Sequence, residues 1–326
     1  MAETKKVSKS KQSVNGKAGK PSAEKKTIEK TKPSNESVHK DSPEKKTEKT
    51  AYKKFNYAEA KARHEAVMGK AEKKRNKKDT EKILRLASGD DMPFGYVEAY
   101  KSLRTNINFI SSTENVKSIV VTSALPRESK SNVSINLAVS LATEGKKVVL
   151  VDCDLRKPAI HSYLYMGRNV RGLTDVLSGK CSLEEAIGEI EDIGIYVLPA
   201  GAIPPNPSEM LAQEKMQKVI EKLKEKFDFV IVDAPPISIV TDAAVLGKYV
   251  DGAVLVIRSK YASRDAILVA KKKLSDVDVK ILGAVVTRFE AKKSAKSGYY
   301  SYGYGYDYGY KYGYGYGTPK KDEEKK

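Results

Sequence analysis

The chain has 326 residues, with 60 Lys and Arg against 42 Asp and Glu, a formal net charge of +18 and a pI near 9.5. Two cysteines, Cys153 and Cys181, are too few for a disulfide framework or a CxxC metal site, and they fit a reducing cytoplasm. No apolar run approaches the roughly 18 residues of a membrane span and the N-terminus has no signal-peptide core, so attachment to a membrane is expected only through a partner or through charge.

The charge is uneven along the chain. Residues 1–80 hold 24 Lys and Arg against 11 Asp and Glu, and residues 299–326 hold 5 against 4, which leaves the middle close to balance. Residues 1–86 therefore read as a basic arm. Its first 50 residues, rich in Lys, Ser, Thr, Glu and Pro, bury too little apolar surface to offset chain entropy and are expected to be disordered. Residues 52–86 are richer in Ala with scattered Tyr, Phe and Leu, and predict a charged helix standing away from the core. The arm reads mainly as a solvated tail, with attraction to anionic lipid or polymer as the functional alternative.

Residues 87–297 form the expected folded domain. It opens with EAYKSLRTN at 98–106, where Glu98, Lys101 and Arg104 recur at i, i+3 and i+6 and so line one side of a helix. From Ser118 the pattern changes to short β-branched runs: SIVVTSA, KVVLVDCD, IYVLPAG, FDFVIVDAPP, GAVLVIRS and ILGAVVTRF. Between them lie helical stretches such as 132–143 and 207–226. Near-continuous apolar strands alternating with helices predict a doubly wound, mostly parallel α/β sheet with helices on both faces, whose ligands bind beyond the carboxyl ends of the strands.

The first strand runs into Ser123-Ala-Leu-Pro126-Arg127-Glu128-Ser129-Lys130-Ser131-Asn132 and then a helix start. Strand, tight loop, Lys-Ser and helix is the P-loop arrangement: backbone N–H groups and the helix N-terminus hold phosphates, the Lys neutralises them, and the hydroxyl meets Mg2+. Residues 126–132 are the candidate ATP-binding loop, although Ala124 and Ser129 stand at the two glycine positions of the strict pattern. The second strand ends in Asp152, Cys153, Asp154 and Arg156. Alternation puts both carboxylates on one side and Cys153 on the other. A fourth run ends in Asp233 within DAPP, as expected of a carboxylate that supports a magnesium shell. His161 and the two cysteines carry no signal beyond packing.

Residues 298–326 form a low-complexity tail. Ten tyrosines occur in it, Tyr299, Tyr300, Tyr302, Tyr304, Tyr306, Tyr308, Tyr310, Tyr312, Tyr314 and Tyr316, mostly alternating with Gly.

Taken together, EAYKSLRTN, the S-x-x-P-x-E-x-K-S loop, DxDxR at 152–156, PPNPSEML at 204–211, DAPP at 233–236 and the tyrosine cluster resemble the bacterial tyrosine kinases of capsular and exopolysaccharide synthesis. The match spans about residues 93–316. The resemblance implies an ATP- and Mg2+-dependent protein-tyrosine kinase that autophosphorylates its tail between subunits and regulates polymer export. Lys130 and Ser131 would hold phosphates and Mg2+, Asp152 and Asp233 the metal shell, and one of Asp152 or Asp154 would help deprotonate the incoming tyrosine. Glu98, Lys101 and Arg104 would join subunits into a ring, with Lys101 where the family carries Arg.

Further partners implied are a membrane-anchored co-polymerase that activates the kinase at the inner face of the cell membrane, and a tyrosine phosphatase. Family members carry Gly where this chain has Ser129, and Gly or Asn where it has Arg127, which predicts weakened nucleotide binding if either position needs positive φ. Three other readings compete. A partition-type ATPase would carry a signature lysine at the position of Leu125, a non-catalytic scaffold would exploit the altered loop, and a nucleic-acid binder would need the Lys-rich arm and the Tyr tail to act together from opposite ends.

Overall fold

The computed structural model describes residues 52–68, 84, 86, 87, 92–167 and 169–289. The arm up to residue 51 and the tail tyrosines Tyr299 to Tyr316 lie outside these residues, as does most of the 69–91 stretch. In chain order the elements are β1 (Lys53–Phe55), α1 (Tyr57–Met68), α2 (Phe94–Glu114), β2 (Ser118–Ser123), α3 (Lys130–Ala142), β3 (Val148–Asp152), α4 (Ile160–Tyr163), α5 (Leu173–Leu177), α6 (Leu183–Ala186), β4 (Gly188–Ile190) and β5 (Ile195–Leu198). There follow α7 (Pro207–Leu211), α8 (Glu214–Lys226), β6 (Phe229–Asp233), α9 (Asp242–Gly247), β7 (Gly252–Arg258), α10 (Arg264–Ser275) and β8 (Ile281–Thr287).

The eight strands make one sheet in the order β1-β4-β5-β3-β6-β2-β7-β8, parallel throughout except for the β4–β5 pair. The six strands expected from the sequence are all present. They are continuous apolar runs because both faces are covered. Ile119 and Val121 of β2, Val148 and Leu150 of β3, and Phe229 and Ile231 of β6 face the core beneath α2 and α3. Val120, Val149, Val151, Val230 and Val232 face a second core filled from α5 to α10. The predicted helix at 207–226 is divided into α7 and α8 by a break at residues 212 and 213.

The stretch after residue 52 differs from its expectation. Lys53–Phe55 pair in parallel with Gly188–Ile190 and extend the sheet by one strand. The Asp192 carboxylate accepts the N–H groups of Tyr57 and Ala58, both at 2.7 Å, and so caps α1. Tyr57 is buried, its ring 5.7 Å from that of Tyr165. A Cβ at Gly188 would stand 2.6 Å from the Phe55 ring, so glycine is what admits the strap. Three residues, two of them lysine, show no alternation, and the strand is made by its partner rather than by its own pattern.

A second close approach sets the PPNPSEML segment. Leu173 and Thr174 donate to the carbonyls of Pro199 and Ala200, and a Cβ at Gly172 would fall 2.3 Å from Pro199 O. Glycine at 172 thus lets the turn after β5 fold flat before α7 begins. Among the described residues, no helix is long and apolar enough to cross a membrane.

Candidate phosphotransfer site

β2 and β6 are neighbours in the sheet, yet the chain leaves them in opposite directions: β2 crosses through α3 to β3, and β6 passes through α9 to β7. A crevice opens where crossovers diverge, at the carboxyl ends of the strands. Asp152 and Asp233 pair in register at the ends of β3 and β6. By strand parity Asp152 lies on the α3 side and Cys153 on the other, where Cys153 packs into the second core, as alternation predicts. Sheet register therefore brings together carboxylates that stand far apart in the sequence.

Lys130, the first residue of α3, reaches into this cluster. Its ammonium donates to Asp154 Oδ2 at 2.9 Å and to Asp233 Oδ2 at 3.4 Å, with side chains 13%, 8% and 0% exposed. Burial alone would lower its pKa, but the charges of Asp233 and Asp154 outweigh that and raise it, so the ammonium stays charged. Ser131 Oγ donates to Asp233 Oδ2 at 2.6 Å, and Ser134, one helical turn on, donates to Asp233 Oδ1 at 3.0 Å. Asp152 accepts N–H groups from Asp154, Ala159 and Ile160. Burial, with the charge of Asp233 second, pushes its carboxyl up to about 7, and burial likewise raises Asp233.

Buried carboxylates raised in this way mark a place short of positive charge. Among the described residues no group of three or more His, Cys, Asp and Glu could hold a metal by itself. The hard oxygens of Ser131, Asp233 and Asp152 fit Mg2+ of the kind that completes its shell with water and substrate phosphates.

The loop itself carries the strain that its sequence forecasts. Arg127 has φ 64° and Ser129 φ 69°, the left-handed region in which a side chain costs about 1–2 kcal/mol. Glu128 between them is fully buried and turns away from the crevice. Its Oε2 accepts Leu125 N–H at 2.6 Å, its Oε1 accepts Arg258 N–H at 3.0 Å, and its carbonyl accepts Thr287 Oγ1 at 3.1 Å. Of the candidate loop residues, Lys130 and Ser131 thus face the carboxylates, whereas Glu128 anchors the loop to β7 through its side chain and to β8 through its carbonyl. Asn132 accepts the hydroxyls of Tyr96 and Tyr100 at 3.3 and 3.4 Å and ties the helix start to α2.

Ser129→Gly is expected to stabilise the fold, since the relieved strain exceeds the added chain entropy by up to about 1 kcal/mol. In a domain of this size that is a rise of roughly 2–4 °C in Tm. A lower Tm would show that the serine contributes a contact worth more than the strain.

The three α2 residues expected to join subunits divide. Lys101 pairs with Glu98 of its own helix at 2.7 Å. Arg104 is turned inward: its Nε lies 2.8 Å from Glu144 Oε1, and its Nη1 donates to Ser140 O and Thr143 Oγ1, both at 3.0 Å, at the end of α3. Residues outside the sequence expectation also border the site. Ser134 was legible as the helical i+3 neighbour of Ser131, whereas Asp242, fully buried on α9, and Arg258 gave no signal. A cavity of about 550 Å3 lies elsewhere, at the β1–β4 edge against Tyr52, Phe55, Val170 and Arg171, and contains none of the expected site residues.

A family model described as "AAA domain" matches residues 117–278. The chain is 42% identical over 203 residues to the tyrosine-protein kinase YwqD of Bacillus subtilis (strain 168), which covers 62% of this chain and 85% of that protein. It is 35% identical over 205 residues to the tyrosine-protein kinase CpsD of Streptococcus agalactiae, covering 63% and 89% respectively. Of solved structures, the kinase domain of Escherichia coli tyrosine kinase ETK matches with a TM-score of 0.60 and 32% identity, over 72% of this chain and 90% of that one. With relatives this similar, matched over most of their length, the chain belongs to the bacterial tyrosine-protein kinases.

Proposed function

We propose that the chain moves the γ-phosphate of ATP onto tyrosines at the carboxyl ends of β2, β3 and β6, among them Tyr299 to Tyr316 in the tail of a neighbouring copy. The observation that supports this best is Lys130, held between Asp154 and Asp233 with Ser131 on the same carboxylate. The N-terminus of α3 and the N–H groups of residues 127–132 bind the phosphates, and Lys130 neutralises charge that builds on the transferring group.

Ser131, Asp233 and Asp152 are the residues that would hold Mg2+, which would supply charge neutralisation for the substrate phosphates. Asp152 is fully buried and takes three N–H groups, whereas Asp154 keeps a small exposed surface and takes one, so Asp154 suits the role of base. The tyrosine hydroxyl gives its proton to Asp154, its oxygen bonds to the γ-phosphorus, and the bond to the bridging oxygen of ADP breaks. The product is phosphotyrosine.

The wider reading follows the family. The kinase works in capsular or exopolysaccharide export beside a membrane-anchored co-polymerase that activates it, a phosphatase reverses the modification, and copies assemble as a ring. Lys101 remains the exposed part of the α2 surface for that assembly and Glu98 its half-buried partner, with Arg104 committed to α3 of its own chain. Transfer between copies is tested by mixing a Lys130→Met chain with an active chain whose ten tail tyrosines are Phe. Phosphate on the tail of the inactive chain is the expected result. Its absence, under conditions where wild type is labelled, would leave transfer within one chain.

A further inference from the structure

Three segments distant in sequence converge beside the carboxylate cluster. Arg156 lies in the turn after β3, Ser208 is the second residue of α7, and Asp242 is the first of α9. Arg156 Nε donates to Asp242 Oδ2 at 2.9 Å and its Nη2 to Oδ1 at 3.2 Å, the two-pronged seating of a guanidinium on a carboxylate. Ser208 Oγ donates to the same Oδ1 at 2.5 Å and accepts from Arg156 Nη2 at 2.6 Å. Asp242 has no exposed surface, and a carboxylate is buried at such a place only when it is paired and fully hydrogen-bonded.

What this cluster joins is informative. Asp154 accepts Lys157 N–H at 3.0 Å, so residues 154–157 form one closed turn that contains Arg156. That turn begins with the carboxylate nearest Lys130, and the loop from β6 to α9 begins with Asp233, the other one. Arg156 and Asp242 tie these two loops together at a second point. The phosphate-binding loop is anchored independently, through Glu128 to Arg258 and Thr287 on the other side of β2.

We propose that Arg156, Ser208 and Asp242 form a positioning brace that sets the spacing of Asp154 and Asp233 around Lys130 for phosphate transfer. None of the three touches a reacting group, so all act through Asp154 and Asp233. A displacement of about 1 Å at reacting groups can cost roughly 100-fold in rate. The brace therefore governs kcat, while the separately anchored loop keeps the KM for ATP.

The proposal rests on the transfer reading above, for which Lys130→Met is the control, and full-length Arg156→Lys, Asp242→Asn, Ser208→Ala and Ser208→Thr chains test it. Each is assayed for kcat and for KM of ATP on an added Tyr-Gly peptide, and for its unfolding midpoint. Arg156→Lys keeps the charge but loses the fork. It and Asp242→Asn are expected to lower kcat about tenfold or more, with KM for ATP within about twofold. The Arg156→Lys, Asp242→Asn double variant should be no slower than the worse single one, because both changes break the same pair. Ser208→Ala should be slower than Ser208→Thr, which restores the hydroxyl.

A folded Asp242→Asn chain with wild-type kcat, or losses that multiply in the double variant, would overturn the brace. Should Asp242→Asn fail to fold, equal rates for Ser208→Ala and Ser208→Thr overturn it instead. A Lys130→Met chain as active as wild type would remove the transfer reading itself, whatever the brace variants do.

Discussion

Lys130→Met is expected to slow phosphate incorporation by at least about 100- to 1,000-fold, the usual loss when one preorganised charge stabiliser is removed from a site shielded from water. The lysine is nearly buried, and its ammonium is the cation that the structure sets against Asp154 and Asp233. Methionine has similar length and no charge, so packing is largely kept while the charge is lost.

Two consequences follow. The negative phosphates lose their fixed cation, and the carboxylates lose the charge that holds their pKa values down, since Lys130 opposes the burial of both Asp152 and Asp233. Breaking a buried ion pair costs roughly 3–5 kcal/mol when the remaining charge stays unpaired. Here the carboxylates can take up a proton instead, which limits the damage. The check is labelling with radioactive phosphate beside an unfolding curve, and a folded variant that keeps more than a tenth of wild-type rate would sink the role given to Lys130.

How much of this could be read from the sequence depends on what kind of contact is involved. The strands of the sheet centre were legible because each is buried on both faces, which fills β2, β3 and β6 with unbroken apolar runs up to the polar residues at their carboxyl ends. The shared side of Asp152 and Asp154 followed from strand alternation alone. The strain at Ser129 was legible as a missing glycine of the loop pattern, and that at Arg127 as a departure from the Gly or Asn that the family carries. By contrast, β1 owes its conformation to β4 and to the Asp192 cap, and nothing within KKF announces it. Arg104 was read as lining one side of α2 with Glu98 and Lys101, but which of two neighbours an arginine chooses, another subunit or Glu144 of its own chain, is a matter of tertiary distance. Asp242 is one Asp among many until Arg156 and Ser208 are brought to it.

Glu128 shows most clearly where residue type and position were legible and the task of the side chain was not. It was grouped with residues that hold ATP because it sits inside the loop, yet its carboxylate spends both oxygens on backbone N–H groups, of Leu125 and Arg258. A loop with left-handed residues on either side of one position keeps that shape only if its surroundings fix it. The buried glutamate is what fixes it.

Glu128→Ala should therefore leave two N–H groups without their acceptor, at about 1–3 kcal/mol each. The fold should lose roughly 2–6 kcal/mol, and ATP-dependent labelling should drop about 100-fold or more as the loop relaxes away from the phosphates. Glu128→Gln separates the two roles. A glutamine keeps one acceptor oxygen and turns an NH2 toward the second N–H, so as an anchor it should lose about half the stability lost by alanine, with ATP affinity falling only as the loop loosens. If the carboxylate instead contacted nucleotide or metal, Glu128→Gln would weaken ATP binding at unchanged stability. Urea unfolding and nucleotide titration on the same two variants decide between them, and a stability equal to wild type in both would reject the anchoring role.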